Sequence, residues 1–300
     1  MKKIFILIFC SLLGVESFAQ QAYIDNLSGK MEVPYFKSKP GSDLRGWDFM
    51  LMADTLGFWA LDDAIVEQVL KGNMPDSLKY FRKIVITTAV VDSVKILKKP
   101  HTIELWVLPD YIAVGNNKDF VRMPMSTLAA QRIADSLYCS LPTSYIADRI
   151  AQVSEGALDI FPFRPLGSRN QQPIVYQDSN NAINALFKAK GYHFGQFISG
   201  LKKDLILAYK LQNTPDCENH IAIYGWHHPD GRPQQRIHVK HANFYADYSH
   251  GARMVYRTIK IDGKEYDLKE VLEDKKMYRL LSDDPGPLSP ASYSGDVRHK

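Results

Sequence analysis

Cysteine is scarce in this chain, with three residues in 300, and one of them, Cys10, lies in an apolar leader-like start. The remaining two, Cys139 and Cys217, can close one disulfide in an oxidising compartment or stand as two buried thiols. Neither sits in a familiar nucleophile context, which argues against cysteine catalysis. Long apolar runs are also missing. Beyond Val15 no segment approaches the roughly 20 apolar residues that a transmembrane helix requires, so no membrane span is expected.

Charge of one sign is lacking too. Lys and Arg number 37 against 33 Asp and Glu, and the formal charge is only +4. The densest basic clusters are pairs (Lys98-Lys99, Lys202-Lys203, Lys275-Lys276), which read as solvated surface. A nucleic-acid binder would carry a basic stripe, so no nucleic-acid partner is expected. There is no internal repeat, no nucleotide-cradling glycine loop and no His-Glu-x-x-His zinc signature.

What is present begins with an export signal. Lys2 and Lys3 precede the apolar stretch Ile4 to Val15, and Ser17 and Ala19 supply small residues at the minus-three and minus-one positions of a cleavage site. Bulky Phe9 before Cys10 argues against a lipid anchor. The expectation is a periplasmic or secreted protein cleaved near Ala19, losing two lysines and one glutamate, so that +4 becomes +3.

The rest reads as an α+β protein: a mixed N-terminal α/β lobe over 20–160, a proline-rich connection over 161–178, a mainly antiparallel β-sheet lobe with flanking helices over 179–281, and a flexible tail over 282–300. Residues 20–50 read as an irregular lead-in with a short strand at Met31 to Phe36. Leu61, Ala64, Ile65, Val69 and Leu70 recur at helical spacing before Gly72. Lys83 to Val91, His101 to Val107 and Tyr111 to Val114 are β-branched and read as strands. Helices are expected over Ser126 to Tyr138 and from Pro142 to Val153, and another from Ser179 to Lys190. Strands then follow at Asp204 to Tyr209, Ile221 to Trp226, Gln235 to Val239 and Gly251 to Ile261. Asp267 and Glu270 resemble a capping box opening a last helix. Asp92, Asp110 and Asp119 read as turn or surface residues.

The chemistry concentrates in the second half. Seven of the nine histidines fall between His193 and His250. Imidazole moves protons near neutral pH and ligates metals, so such a concentration points to a site. Three polar clusters are expected to meet at one sheet rim: Ser199 to Asp204, Tyr224 to Asp230, and His238, His241, Asp247 and His250. Two chemistries fit them. In the first, His241, Asp247 and His250 hold a divalent metal such as zinc with an open water position. In the second, Asp247 orients His241, His227 or His250 as general acid or base, and Lys202 or Lys203 holds an anionic group. Ser249, beside His250, is a weak nucleophile candidate, and Ser199-x-x-Lys202 matches a serine-acylation pattern that lacks its supporting Lys-Thr-Gly element.

Candidate catalytic residues are therefore His241, Asp247, His250, His227 and Lys202. Candidate substrate-binding residues are Trp226, Lys203, Asp204, His228, Tyr245 and Tyr248. Of the interleaved aromatics, Tyr224 and Phe244 are expected in the core and Trp226 near ligand. The function expected is an exported hydrolase of cell-envelope or extracellular polymer, glycan or peptide, acting on a polymeric or small-molecule substrate. The competing reading is a non-catalytic secreted binder of glycan or peptide.

Overall fold

The computed structural model describes residues 29–37, 39–88, 98–164, 167–217 and 219–293. The leader 1–19, Asp92 and the end of the strand expected to reach Val91 lie outside the described residues.

In chain order the strands are β1 (Lys30–Glu32), β2 (Tyr80–Thr87), β3 (Thr102–Val107), β4 (Ala113–Gly115), β5 (Phe120–Arg122), β6 (Cys139–Ser140), β7 (Gly156–Ala157), β8 (Ile198–Ser199), β9 (Lys203–Leu205), β10 (Ile223–His227), β11 (Pro233–His238), β12 (His250–Gly251), β13 (Val255–Tyr256), β14 (Thr258–Ile261) and β15 (Lys264–Asp267). The helices are α1 (Gly46–Ala53), α2 (Phe58–Lys71), α3 (Thr127–Ser136), α4 (Ser144–Gln152), α5 (Pro173–Lys190), α6 (Tyr209–Gln212) and α7 (Leu268–Glu273). The fold is α+β with mostly antiparallel sheets.

Local chemistry explains several boundaries. In β3, Ile103, Leu105 and Val107 are buried and alternate with more exposed neighbours, the period of a strand with one face on a core. Leu61, Ile65, Val66 and Val69 put one face of α2 into the same core, and Gly72 ends the helix at φ +86°, a left-handed position that glycine adopts without Cβ strain. Each such aliphatic burial stabilises by roughly 1.5–3 kcal/mol. Ser126 and Thr143 cap α3 and α4 by accepting hydrogen bonds from Ala129 and Ile146 amides, each contributing about 1 kcal/mol.

Of the four sheets among the described residues, the two larger ones do not follow the expected division of the chain. The larger runs β1-β2-β3-β13-β6, with β14 joining β3 and β15, so strands from beyond residue 250 complete a sheet begun before residue 110. One hydrophobic cluster contains residues from Val33 to Ala291. The proline-rich passage is thus no boundary between cores. Its last proline, Pro173, opens α5, six residues earlier than the spacing predicts, because the first helical position needs no amide hydrogen.

Three other expectations change. Trp47, Phe49 and Met50 lie in α1, where glycines at 41 and 46 suggested only irregular chain; Gly46 is required instead because a Cβ there would lie 2.7 Å from the Phe120 Cα. Residues 282–293 are packed, with Leu288 and Ala291 buried, although their composition suggested a loose end. The Gly251 to Ile261 strand is broken into β12, β13 and β14. Cys139 and Cys217 are free and buried. No helix among the described residues is long and apolar enough to cross a membrane.

The smaller sheet positions the histidines. Its order is β11-β10-β9-β12, with β9 parallel to β12 and antiparallel to β10. Lys203 pairs with His250 on one side and Gly225 on the other; Asp204 pairs with Gly251 and Tyr224.

Candidate functional site

Successive strand residues point to opposite faces, and this splits the expected single cluster in two. On the Lys203 face lie His250, Asp247, His241, Tyr245 and Trp226. On the Asp204 face lie His227, Asp148, Tyr224, Tyr111 and Arg253. The positive φ of Trp226, +53°, breaks the alternation of β10 and lets Trp226 and His227 serve these two faces.

The Lys203 face is built on the turn from Tyr245 to His250. Asp247 Oδ1 accepts hydrogen bonds from the Ser249 amide (2.8 Å) and hydroxyl (2.6 Å), and Tyr245 Oη donates to Oδ2 (3.2 Å). His250 Nε2 lies 3.7 Å from Oδ2, beyond a hydrogen bond. His250 is fully buried, and neither ring nitrogen has a hydrogen-bond partner among the described residues. Burial pushes its pKa down to about 4, against the opposing pull of Asp247. Burial pulls the Asp247 carboxyl upward, but His250 and the Ser249 hydrogen bonds outweigh it and leave the group below its usual value.

Around this pair is a layer of rings. His241 stacks on Tyr245 with centroids 4.2 Å apart and an interplanar angle of 13°; it lies 6.4 Å from the His250 ring and 4.8 Å from His238. Partial burial lowers the pKa of both His238 and His241. Tyr245 meets His250 edge-on at 5.6 Å. The Lys203 ammonium lies 5.7 Å from the Trp226 ring centroid, and its pKa is lowered by burial against the pull of Asp247.

On the opposite face the polar groups have partners, except Arg253 Nε, which is buried without one among the described residues. His227 Nε2 meets Asp148 Oδ1 at 2.7 Å, and Tyr224 Oη donates to the same oxygen at 2.9 Å. Burial raises the Asp204 carboxyl to about 6, opposed by Arg253 and His227. Arg253 lies over Tyr111 at 4.5 Å and donates to the Pro109 carbonyl at 2.9 Å.

The candidate residues therefore separate. His241, Tyr245, Asp247, His250 and Lys203 are brought together. His227 and Asp204 belong to the other face. His228 sits on the β10–β11 turn against Gln234 at 2.8 Å, away from both. Lys202 is buried and donates to the Tyr248 carbonyl at 2.5 Å, so it braces the turn from below instead of meeting a substrate; burial lowers its pKa to about 7. Tyr248 is stacked on Phe163 at 4.7 Å and accepts from the Phe163 amide, a packing role. Trp226 is buried and donates to the Gly200 carbonyl at 3.0 Å, so it is not a ligand platform.

The metal set fails on geometry. Among the described residues no three His, Cys, Asp or Glu side chains are arranged to hold a metal ion. Asp247 is engaged by Ser249 and Tyr245, and His241 is stacked on Tyr245 with its ring centre 6.4 Å from that of His250. Ser249 is likewise committed to Asp247, and Ser199 Oγ turns to the Gly156 carbonyl, not to Lys202. Phe244, expected in the core, is 45% exposed and meets Phe58 and Trp59 edge-on.

Two features escaped the sequence reading. Asp148 carried no signal, because its partners Tyr224 and His227 lie about eighty residues away. Asp110, read as a turn residue, is buried and paired with fully buried Arg122, whose Nη1 also donates to Asn180 and Asn184. Comparison of the chain with protein-family models, curated proteins and solved structures returns no match.

Proposed function

We propose that this protein is an exported hydrolase of cell-envelope or extracellular polymer whose acid–base group is the Asp247–His250 pair. The observation that carries the reading is the state of His250: a fully buried imidazole beside a carboxylate, with neither nitrogen partnered among the described residues. Leaving polar groups so costs free energy that packing alone does not recover, on the order of 1–3 kcal/mol each. Catalytic hydrogen bonds are often long in a free enzyme and tighten with substrate, so 3.7 Å suits a pair that closes on binding. His241 is the half-exposed imidazole that a substrate meets first, Tyr245 positions it, and Lys203 supplies positive charge for a developing anion.

Export rests on the leader read from Lys2 to Ala19. The test is release of new reducing ends or amines from peptidoglycan and extracellular polysaccharide by purified mature protein. His250→Gln and Asp247→Asn should each lower the rate by about 10²–10⁴-fold. Polymer binding without release by the wild-type protein would instead support the secreted binder.

A further inference from the structure

We infer that the cleft between α1 and α5 is a binding site for a neutral saccharide, separate from the histidine site and independent of the hydrolase reading. The cleft encloses about 570 Å³, within the usual range for a small-molecule site, and none of its lining residues belongs to the Asp247–His250 group. Its walls come from Trp47, Met50 and Leu51 along α1 with Asp54 just after it, and from Gln172 and the first two turns of α5.

The lining has the chemistry that recognises a sugar ring. Trp47 is 44% exposed at the cleft, and Leu51 and Ile174 are exposed beside it. A bared indole presents a flat face on which the C–H face of a pyranose stacks. Opposite chemistry is supplied by Gln177, which is buried to 6% exposure. Its Nε2 donates to Asn181 Oδ1 at 2.8 Å, which fixes the amide, and its Oε1 has no partner among the described residues. That oxygen is itself buried in the cleft wall, and a ligand hydroxyl supplies its missing donor once the amide turns toward the cleft.

Charge decides the class of ligand. Among the described residues Asp54 is the only ionisable group of the lining, with no Lys, Arg or His beside it, so the cleft disfavours an anion. Asp54, Gln172 and Gln177 together offer several acceptors around one aromatic face. A ring bearing several hydroxyl donors satisfies that set, whereas an apolar peptide would bury it unpaired. The site also has a physical link to the histidine face. Tyr176 and Ser179, on the packed side of α5, donate to the Ala246 and Tyr248 carbonyls at 3.0 and 3.4 Å, so one helix carries the cleft and supports the catalytic turn.

The test is calorimetric titration of the full mature chain with chito-, cello-, xylo- and malto-oligosaccharides. At least one should bind, with Trp47→Ala weakening it by about tenfold or more and Trp47→Phe by only a few-fold. Trp47→Phe also guards against misfolding, with circular dichroism checked for both variants. His250→Gln should bind as the wild type does, so loss of hydrolysis and loss of this site are read apart. No binding by any of the four series would overturn the inference. So would binding indifferent to Trp47→Ala, or Trp47-dependent binding of a lysine peptide in place of every saccharide.

Discussion

Lys203 and Asp204 are adjacent in β9 and serve opposite faces of the four-stranded sheet: the Lys203 ammonium lies over Trp226 beside the Asp247–His250 pair, while the Asp204 carboxyl faces His227 and Arg253. A peptide unit therefore separates two ionisable assemblies that the sequence presents as one. Among the described residues the Lys203 assembly has an imidazole with neither nitrogen partnered, whereas in the Asp204 assembly His227 is bonded to Asp148 and only Arg253 Nε lacks a partner. The proposed acid–base role rests on the first assembly.

The pH dependence of turnover should follow His250. With its pKa pushed down to about 4, the imidazole is neutral and able to accept a proton throughout the neutral range. The acid limb of kcat/KM should fall near pH 4, well below that of an ordinary histidine. The Asp247 charge raises the His250 pKa, so the residual activity of Asp247→Asn should have its acid limb displaced to lower pH. A limb unmoved by that substitution would separate Asp247 from the titrating group.

The same shift makes a stability prediction of definite sign. His250 is depressed in the folded state, so its contribution is fully present above about pH 6.5 and is lost as pH falls through about 4. His250→Phe should flatten the acid side of the urea-stability curve between those values. An unchanged curve would contradict the burial argument.

Arg122 ties β5 to Asp110 and to α5. Its side chain is fully buried, with Nη2 2.6 Å from Asp110 Oδ2 and Nη1 shared with Asn180 and Asn184 of α5. Removing one partner of a buried ion pair leaves the other charge uncompensated, so Arg122→Met should cost about 3–5 kcal/mol in urea unfolding. A loss below about 1 kcal/mol would mean the pair is not desolvated as it stands.

Ser126 caps α3 and also donates, through both its amide and its hydroxyl, to the buried Asp62 carboxylate. Burial still raises Asp62 to about 6. A raised carboxyl contributes stability below its unfolded pKa near 3.8 that is lost as pH rises through about 6. Ser126→Ala removes the hydroxyl partner of the ionised form and leaves the amide, so it should destabilise by about 1–3 kcal/mol at pH 7 and by less at pH 4. Equal losses at the two pH values would exclude Asp62 as the cause.

Much of the fold was legible because period and caps are local. The α2 stripe, the β2 and β3 runs and the Ser126 and Thr143 caps all act within a few residues. The site was legible in composition but not in arrangement. Asp247, His250, His241, Tyr245 and Lys203 were named from type and proximity in sequence, and they do meet. Trp226 at φ +53° is a non-glycine residue in a conformation that side chains disfavour, so regular alternation could not place His227. Asp148 and the Asp110–Arg122 pair depend on contacts across 79 and 12 positions, which no local pattern reports. The two-lobe expectation failed for the same reason, since β13 and β14 return to β3 across about 150 residues.

The most direct test compares His250→Gln with His227→Gln in one assay of polymer hydrolysis, with folding of both confirmed by circular dichroism. The two residues are both buried histidines beside an aspartate, on opposite faces of one sheet. His250→Gln should lose about 10²-fold or more in rate while His227→Gln stays within a few-fold of wild type. Loss confined to His227→Gln, or equal activity in both variants, would contradict the role proposed for His250.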